Sequence, residues 1–186
     1  MANTLITGKL NTDRTKVQEI SVNSSGEILT SAGGVADAAQ AIADGGVFYG
    51  SDIIRSVADN ADQEWLVVTG SVDAVVAFGV KSIGDYELSV FEDTTVTANG
   101  TVKTNFNAKR SDTTTTIETL IYESPTVTAD GNQITESLNH GGEKNDVTAT
   151  NDTGGLILKA NSNYLIRYTN TSGNSVHIAI SWRIVE

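Results

Sequence analysis

Residues able to make or break bonds are few in this chain, and their spacing does not suit the work. There are two histidines, His140 in a glycine-rich stretch and His177 in an alternating apolar run, and no cysteine. A nucleophile needs a base within reach. Neither histidine has a His-x-x-x-His partner, and no Gly-x-Ser-x-Gly turn occurs. Gly8-Lys9 lacks the glycine-rich run and the following Ser/Thr of a phosphate loop. Asp and Glu number 23, so a glycosidase-type pair is not excluded by counting, yet no spacing singles out an acid and a base. Asp and Asn oxygens crowd Asp146 to Asp152 and Asp130 to Asn132 without EF-hand spacing, and solvated turns account for them better than calcium does. The expectation is a protein that is not an enzyme, with no catalytic, cofactor-binding or metal-ligating residue to name.

Charge narrows the partners. The net charge is −11 and the 12 Lys and Arg are scattered. Nucleic-acid binding depends on cations neutralising phosphates, so that partner is excluded. No apolar run approaches the ~20 residues that span a bilayer, so no membrane partner is expected. The N-terminus, Met1 to Leu10, has no apolar core or cleavage pattern of a signal peptide, which implies synthesis in a cytoplasm without a recognisable export signal. The Asn-x-Ser/Thr sequons at Asn23, Asn99, Asn151 and Asn170 then reflect only how common these residues are.

The elements that would position any site read as strands. From Gly154 to Glu186, three short apolar runs separated by Asn/Ser/Gly turns fit three consecutive antiparallel strands. In the last run Val176, Ile178, Ile180, Trp182 and Ile184 share one face, and His177, Ala179, Ser181 and Arg183 share the other. That period of two marks a sheet with one buried and one wetter face. Upstream, Trp65 to Val68 is a short buried run, and Val72 to Val80, Tyr86 to Phe91 and Ile117 to Tyr122 alternate in the same way. Short strands with regular turn signals predict a sandwich or barrel. Thr95-Val96-Thr97-Ala98-Asn99-Gly100 and Thr126-Val127-Thr128-Ala129-Asp130-Gly131 echo each other, and each is expected to close one end of a strand pair with a φ > 0 turn. His140 to Gly155, nearly free of apolar residues, reads as a long surface loop.

Residues 1–46 read differently. Val17, Ile20 and Val22, then Asn23 to Gly26 and Ile28-Leu29, predict a small hairpin. Val35, Ala38, Ala39 and Ile42 stand at helical spacing and predict a short helix over Val35 to Ala43, ended by Gly45-Gly46. A helix this short is marginal in water unless it packs on something. The chain is therefore divided into an N-terminal arm, 1–46, and a β-sandwich domain, 47–186. Leu5, Ile6, Leu10, Val17, Ile20, Val35 and Ile42 are the candidate contact residues of that arm with other chains.

From about Trp65 onward the series Tyr86 to Glu92, Thr95 to Thr101, Asn105 to Ser111, Thr113 to Thr116, Tyr122 to Gly131 and Leu156 to Asn170, closing on the strand with Trp182, resembles the small jelly-roll decoration (cement) proteins of tailed-bacteriophage capsids. The likeness covers roughly two-thirds of the chain. It implies an all-β jelly-roll sandwich of about eight antiparallel strands, assembled as a homotrimer on the outer capsid surface, where it binds the major capsid protein and stabilises the virion. It brings no catalytic residue and no cofactor. An alternative in the same fold class is a head-fibre or tail-tip adhesin or carbohydrate-binding module, for which Tyr49, Trp65, Tyr86, Tyr122, Tyr164 and Trp182 are the aromatics available to stack on sugars. A calcium-dependent lyase or hydrolase is a third reading.

Overall fold

The computed structural model describes residues 21–22, 28–29, 35–140 and 155–186, with side chains from residue 40 onward. The chain divides into two units, one ending at Gln40 and a compact one running from Ala41 to Glu186. In the first unit β1 (Ser21–Val22) pairs antiparallel with β2 (Ile28–Leu29), the centre of the expected hairpin. Helix α1 (Val35–Asp44) follows. It ends because Gly45 takes φ +83°, with the Gly45 N–H donating to the Ile42 carbonyl (3.1 Å) and the Gly46 N–H to that of Ala41 (3.0 Å). This paired bonding satisfies carbonyls that a helix end would leave bare.

The remaining strands are β3 (Val47–Val57), β4 (Asp62–Val68), β5 (Ala74–Ser82), β6 (Tyr86–Glu92), β7 (Thr95–Ala98), β8 (Thr101–Val102), β9 (Phe106–Asn107), β10 (Leu120–Glu123), β11 (Thr126–Ala129), β12 (Asn132–Asn139), β13 (Leu156–Leu158), β14 (Asn163–Asn170) and β15 (Val176–Val185). They form two large antiparallel sheets, in the orders β12-β6-β14-β4-β10-β8 and β13-β5-β15-β3-β9, and a two-stranded ribbon β11-β7. The protein is an all-β sandwich.

The pairings are nested. β3 pairs with β15, β4 with β14, β5 with β13, β6 with β12, β7 with β11 and β8 with β10. The chain therefore runs as one long antiparallel ribbon whose two arms cross between the sheets side by side. At each crossing the backbone leaves its ladder, and its polar groups need other partners. Buried polar side chains supply them. Asn170 Nδ2 donates to the carbonyls of Val57, Ala58 and Asn174 at 2.7–3.0 Å, tying the β3–β4 turn to the β14–β15 turn. Thr69 Oγ1 donates to the Lys159 and Ser162 carbonyls, joining the β4–β5 and β13–β14 turns. Thr94 Oγ1 donates to the Asp130 carbonyl at 2.6 Å, joining the β6–β7 and β11–β12 turns. All three residues are buried.

Between the sheets lies an apolar core that includes Trp65, Val67, Phe78, Tyr86, Ile121, Ile166, Tyr168, Ile180 and Trp182. Tyr86 and Tyr168 stack with ring centroids 5.0 Å apart. At about 1.5–3 kcal/mol per large side chain fully buried, this interior supplies the main driving force. The alternation expected of Val176 to Ile184 holds residue by residue.

Three local expectations are corrected, and one strand is added that the sequence did not announce. The three strands after Gly154 do exist, but no two of them pair with each other; β13 and β15 lie in one sheet without touching and β14 lies in the other. The two echoing segments do not close separate strand pairs but are β7 and β11, paired with one another, and Gly100 and Gly131 both hold the expected positive φ, +92°. The strand assigned from Val72 begins only at Ala74, leaving Val72 exposed, and the one assigned from Ile117 begins at Leu120. Finally, Asn132 to Asn139 forms β12, where the sequence offers only Ile134 and Leu138 as apolar residues. An edge strand with little buried face carries little alternation to read.

Candidate interaction surface

Of the candidate contact residues, Leu5, Ile6, Leu10, Val17 and Ile20 lie outside the described residues. Val35 opens α1, and Ile42 is half-buried with its carbonyl engaged in the helix cap.

Beyond these, the five-stranded sheet presents an outer face of unusual composition. Its rows, read across the strands, are Ile157–Val75–Val185, then Ala77–Arg183–Tyr49–Phe106, then Gly79–Ser181–Ser51, then Lys81–Ala179–Ile53. None of these positions is Asp or Glu, in a chain with 23 acids against 12 bases. Arg183, Lys81 and Arg55 are the charges, and the centre is made flat by Gly79, Ser181, Ser51 and Ala77. Ile157 is 74% exposed, Ile53 60%, Phe106 53% and Tyr49 43%. The Arg110 guanidinium lies 5.4 Å over the Phe106 ring. Large aliphatic and aromatic side chains left exposed on one face make it a candidate interaction surface.

The outer face of the six-stranded sheet contrasts with it. Leu66, Leu165 and Phe91 form a buried row there, outside the main core. Above them Arg167 sits 5.1 Å over Phe91, donates to both oxygens of Asp130 (2.6 and 2.8 Å) and to Glu64 Oε1 (2.7 Å). Asp130 follows β11, so this fork holds the β7–β11 ribbon to the sheet. It keeps the Asp130 carboxyl below the usual carboxylate range and the guanidinium above its own. Asp62, Glu64, Glu87 and Glu136 leave this face acidic.

Other polar clusters are smaller. Lys103 Nζ lies 2.5 Å from Asp52 Oδ2 and 2.6 Å from Glu123 Oε2; burial pulls its pKa down, but bonds to the two carboxylates outweigh that and raise it overall. His177 Nδ1 accepts the Ser56 N–H at 3.0 Å, a structural contact, and His140 pairs with Asp85 at 3.4 Å. Among the described residues no group of three or more His, Cys, Asp or Glu is placed to hold a metal, and no helix is long and apolar enough to cross a membrane. A small cavity of about 20 Å³ lies between the sheets, lined by Val76, Phe78, Leu88, Val90, Leu156, Leu158, Tyr164 and Ile166. It has room for about one water and no polar partners to hold it.

No protein-family model, characterised protein or solved structure matches this chain. The functional reading therefore rests on its own geometry. Sequence reasoning named contact candidates only in the N-terminal arm and did not single out the sheet face. The signal was present in β15, where Ala179 and Ser181 are too small to be an ordinary wet face.

Proposed function

We propose that this chain is a virion structural protein, a decoration protein that binds the outer surface of a phage capsid as a homotrimer and stabilises it. The observation that carries the reading is the flat, acid-free face of the five-stranded sheet on an otherwise strongly acidic molecule. Such a surface suits adhesion to another protein, and three copies bound together gain avidity from individually weak contacts. A net charge of −11 repels packaged DNA and suits the outside of a shell. The fold supports the reading too. Numbering β3, β4, β5, β6, β12, β13, β14 and β15 from one to eight, the sheets run 6-3-8-1 and 5-4-7-2. This order supports reading the sandwich as a jelly roll, a folded antiparallel ribbon of two Greek keys.

The test is to mix the purified protein with undecorated capsids. Co-sedimentation, a gain in capsid heat resistance and a trimer in sedimentation analysis are expected, and Ile53→Glu should abolish the first two. Absence of co-sedimentation overturns the proposal. An adhesin reading has one observation in its favour, the exposed neighbours Tyr49 and Phe106. Of the other candidate aromatics, Trp65, Tyr86, Tyr164 and Trp182 are buried in the core and Tyr122 is half-buried. Binding to a glycan array in place of capsids would select it.

A further inference from the structure

The groups around Lys103 carry a chemistry that the proposed binding role does not use. Lys103 follows β8, Asp52 lies on the inward side of β3 and Glu123 ends β10. The three side chains are only 18%, 19% and 22% exposed. Asp52 stands opposite Ile180, which is almost wholly buried, and two residues from the Gly50–Trp182 pair. The two carboxylates differ in how they meet the amine. Lys103 Nζ donates a well-directed hydrogen bond to Glu123 Oε2 at 2.6 Å. Asp52 Oδ2, itself buried, forms an ion pair with the same nitrogen at 2.5 Å and has no other partner among the described residues. An amine held against one carboxyl group while hydrogen-bonded to a second is placed to react with the first.

We propose that Lys103 and Asp52 join in an intramolecular amide cross-link, with Glu123 as the proton shuttle. The ammonium passes one proton to Glu123, and the freed Nζ lone pair attacks Asp52 Cγ while Glu123 returns that proton to an Asp52 oxygen. The nitrogen then gives a second proton to Glu123. The Cγ–O bond breaks, and the departing hydroxyl takes that proton and leaves as water. One C–N bond forms and one C–O bond breaks, Glu123 ends as it began, and no oxidant or other reactant is needed. One feature favours the step: holding the reacting groups in contact removes the entropy cost of bringing them together. The two carboxylates hold Lys103 as an ammonium, so passing its first proton to Glu123 is the step that limits the reaction. The product ties β3 of one sheet to the β8–β10 pair of the other, closing an edge of the sandwich covalently.

Intact-mass measurement of the full chain tests this directly. The purified protein should be lighter than its sequence by one water, and tandem mass spectrometry of a digest should find a branched peptide joining Lys103 to Asp52. Lys103→Arg and Glu123→Gln should each restore the full mass. A wild-type chain at full mass overturns the proposal, whether or not the variants fold. Water loss mapped elsewhere, for example to Asp130-Gly131, overturns it equally. A cross-link that persists in Glu123→Gln overturns the shuttle role.

Discussion

The side-chain amide of Asn170 lies 3.0 Å from the carbonyl of Val57, a residue 113 positions earlier in the chain. This single bond joins the outermost turns of the two ribbon arms, where β3 leaves for β4 and β14 leaves for β15. Asn170 also accepts, through Oδ1, the Ser172 N–H at 3.1 Å and the Ser172 hydroxyl at 2.7 Å. One fully buried side chain thus settles backbone groups on both turns.

Asn170→Ala should destabilise the sandwich by about 2–3 kcal/mol, because the Val57, Ala58 and Asn174 carbonyls lose a shared donor in a buried site. Urea denaturation, read as a lowered midpoint with unchanged slope, measures it. A change within about 0.5 kcal/mol, the range of an ordinary surface substitution, would show that the turns hold without it.

Arg167→Ala should cost about 2 kcal/mol, a figure discounted for the partial exposure of Asp130. It removes the fork to Asp130, the bond to Glu64 and the cover over Phe91. Arg167→Lys should recover less than half, since an ammonium keeps the charge without the planar fork. Equal stability of the Lys variant and wild type would contradict the geometry.

Acid should unfold the protein from the carboxylate side. Hydrogen bonds from Arg167 to Asp130, from Lys159 to Glu92, from the Thr115 hydroxyl to Asp112 and from the Ser71 hydroxyl to Glu118 depress these pKa values. A carboxyl whose pKa is lower when folded binds more protons when unfolded, so stability rises with pH. Their contribution is present above about pH 4 and lost as pH falls through the depressed values. Denaturant midpoints measured between about pH 6 and pH 2 should fall steadily.

At the alkaline end the sign is reversed. Burial, then the neighbouring Tyr168, pushes Tyr86 up to about 12. Its contribution is intact below the ordinary tyrosine value of about 10 and is lost as pH rises toward the folded one. Absorbance titration should show that Tyr86→Phe removes a tyrosinate step lying well above the ordinary value of about 10.

Gly131→Ala should cost more than about 1 kcal/mol, because φ +92° is left-handed and an added Cβ would overlap the Glu92 carbonyl oxygen. Gly100→Ala meets the same strain against the Glu123 carbonyl. Melting temperatures of the two variants compared with wild type provide the check.

These sites differ in how far the sequence announces them. The inward faces of β5, β6 and β15 are legible, because alternation is a local property that water imposes on any half-buried strand. The Asn99-Gly100 and Asp130-Gly131 turns are legible for a similar reason, since few residues other than glycine accept a left-handed backbone. The helix and its stop at Gly45 are visible in the same way.

Partner choice is a different matter. Every strand edge offers the same N–H and C=O groups, so nothing in Thr95 to Ala98 announces Thr126 to Ala129 as its mate rather than another strand. That choice belongs to the nested ribbon, and with it the placing of Asn170 against Val57, Arg167 against Asp130, and Lys103 against Asp52 and Glu123. The amino-acid sequence by itself determined an acidic all-β chain, its strand faces and its glycine turns, because each follows from neighbours a few residues apart. Only the tertiary structure decided which faces are covered, which stay open, and which charges meet, because those depend on contacts between residues distant in the chain.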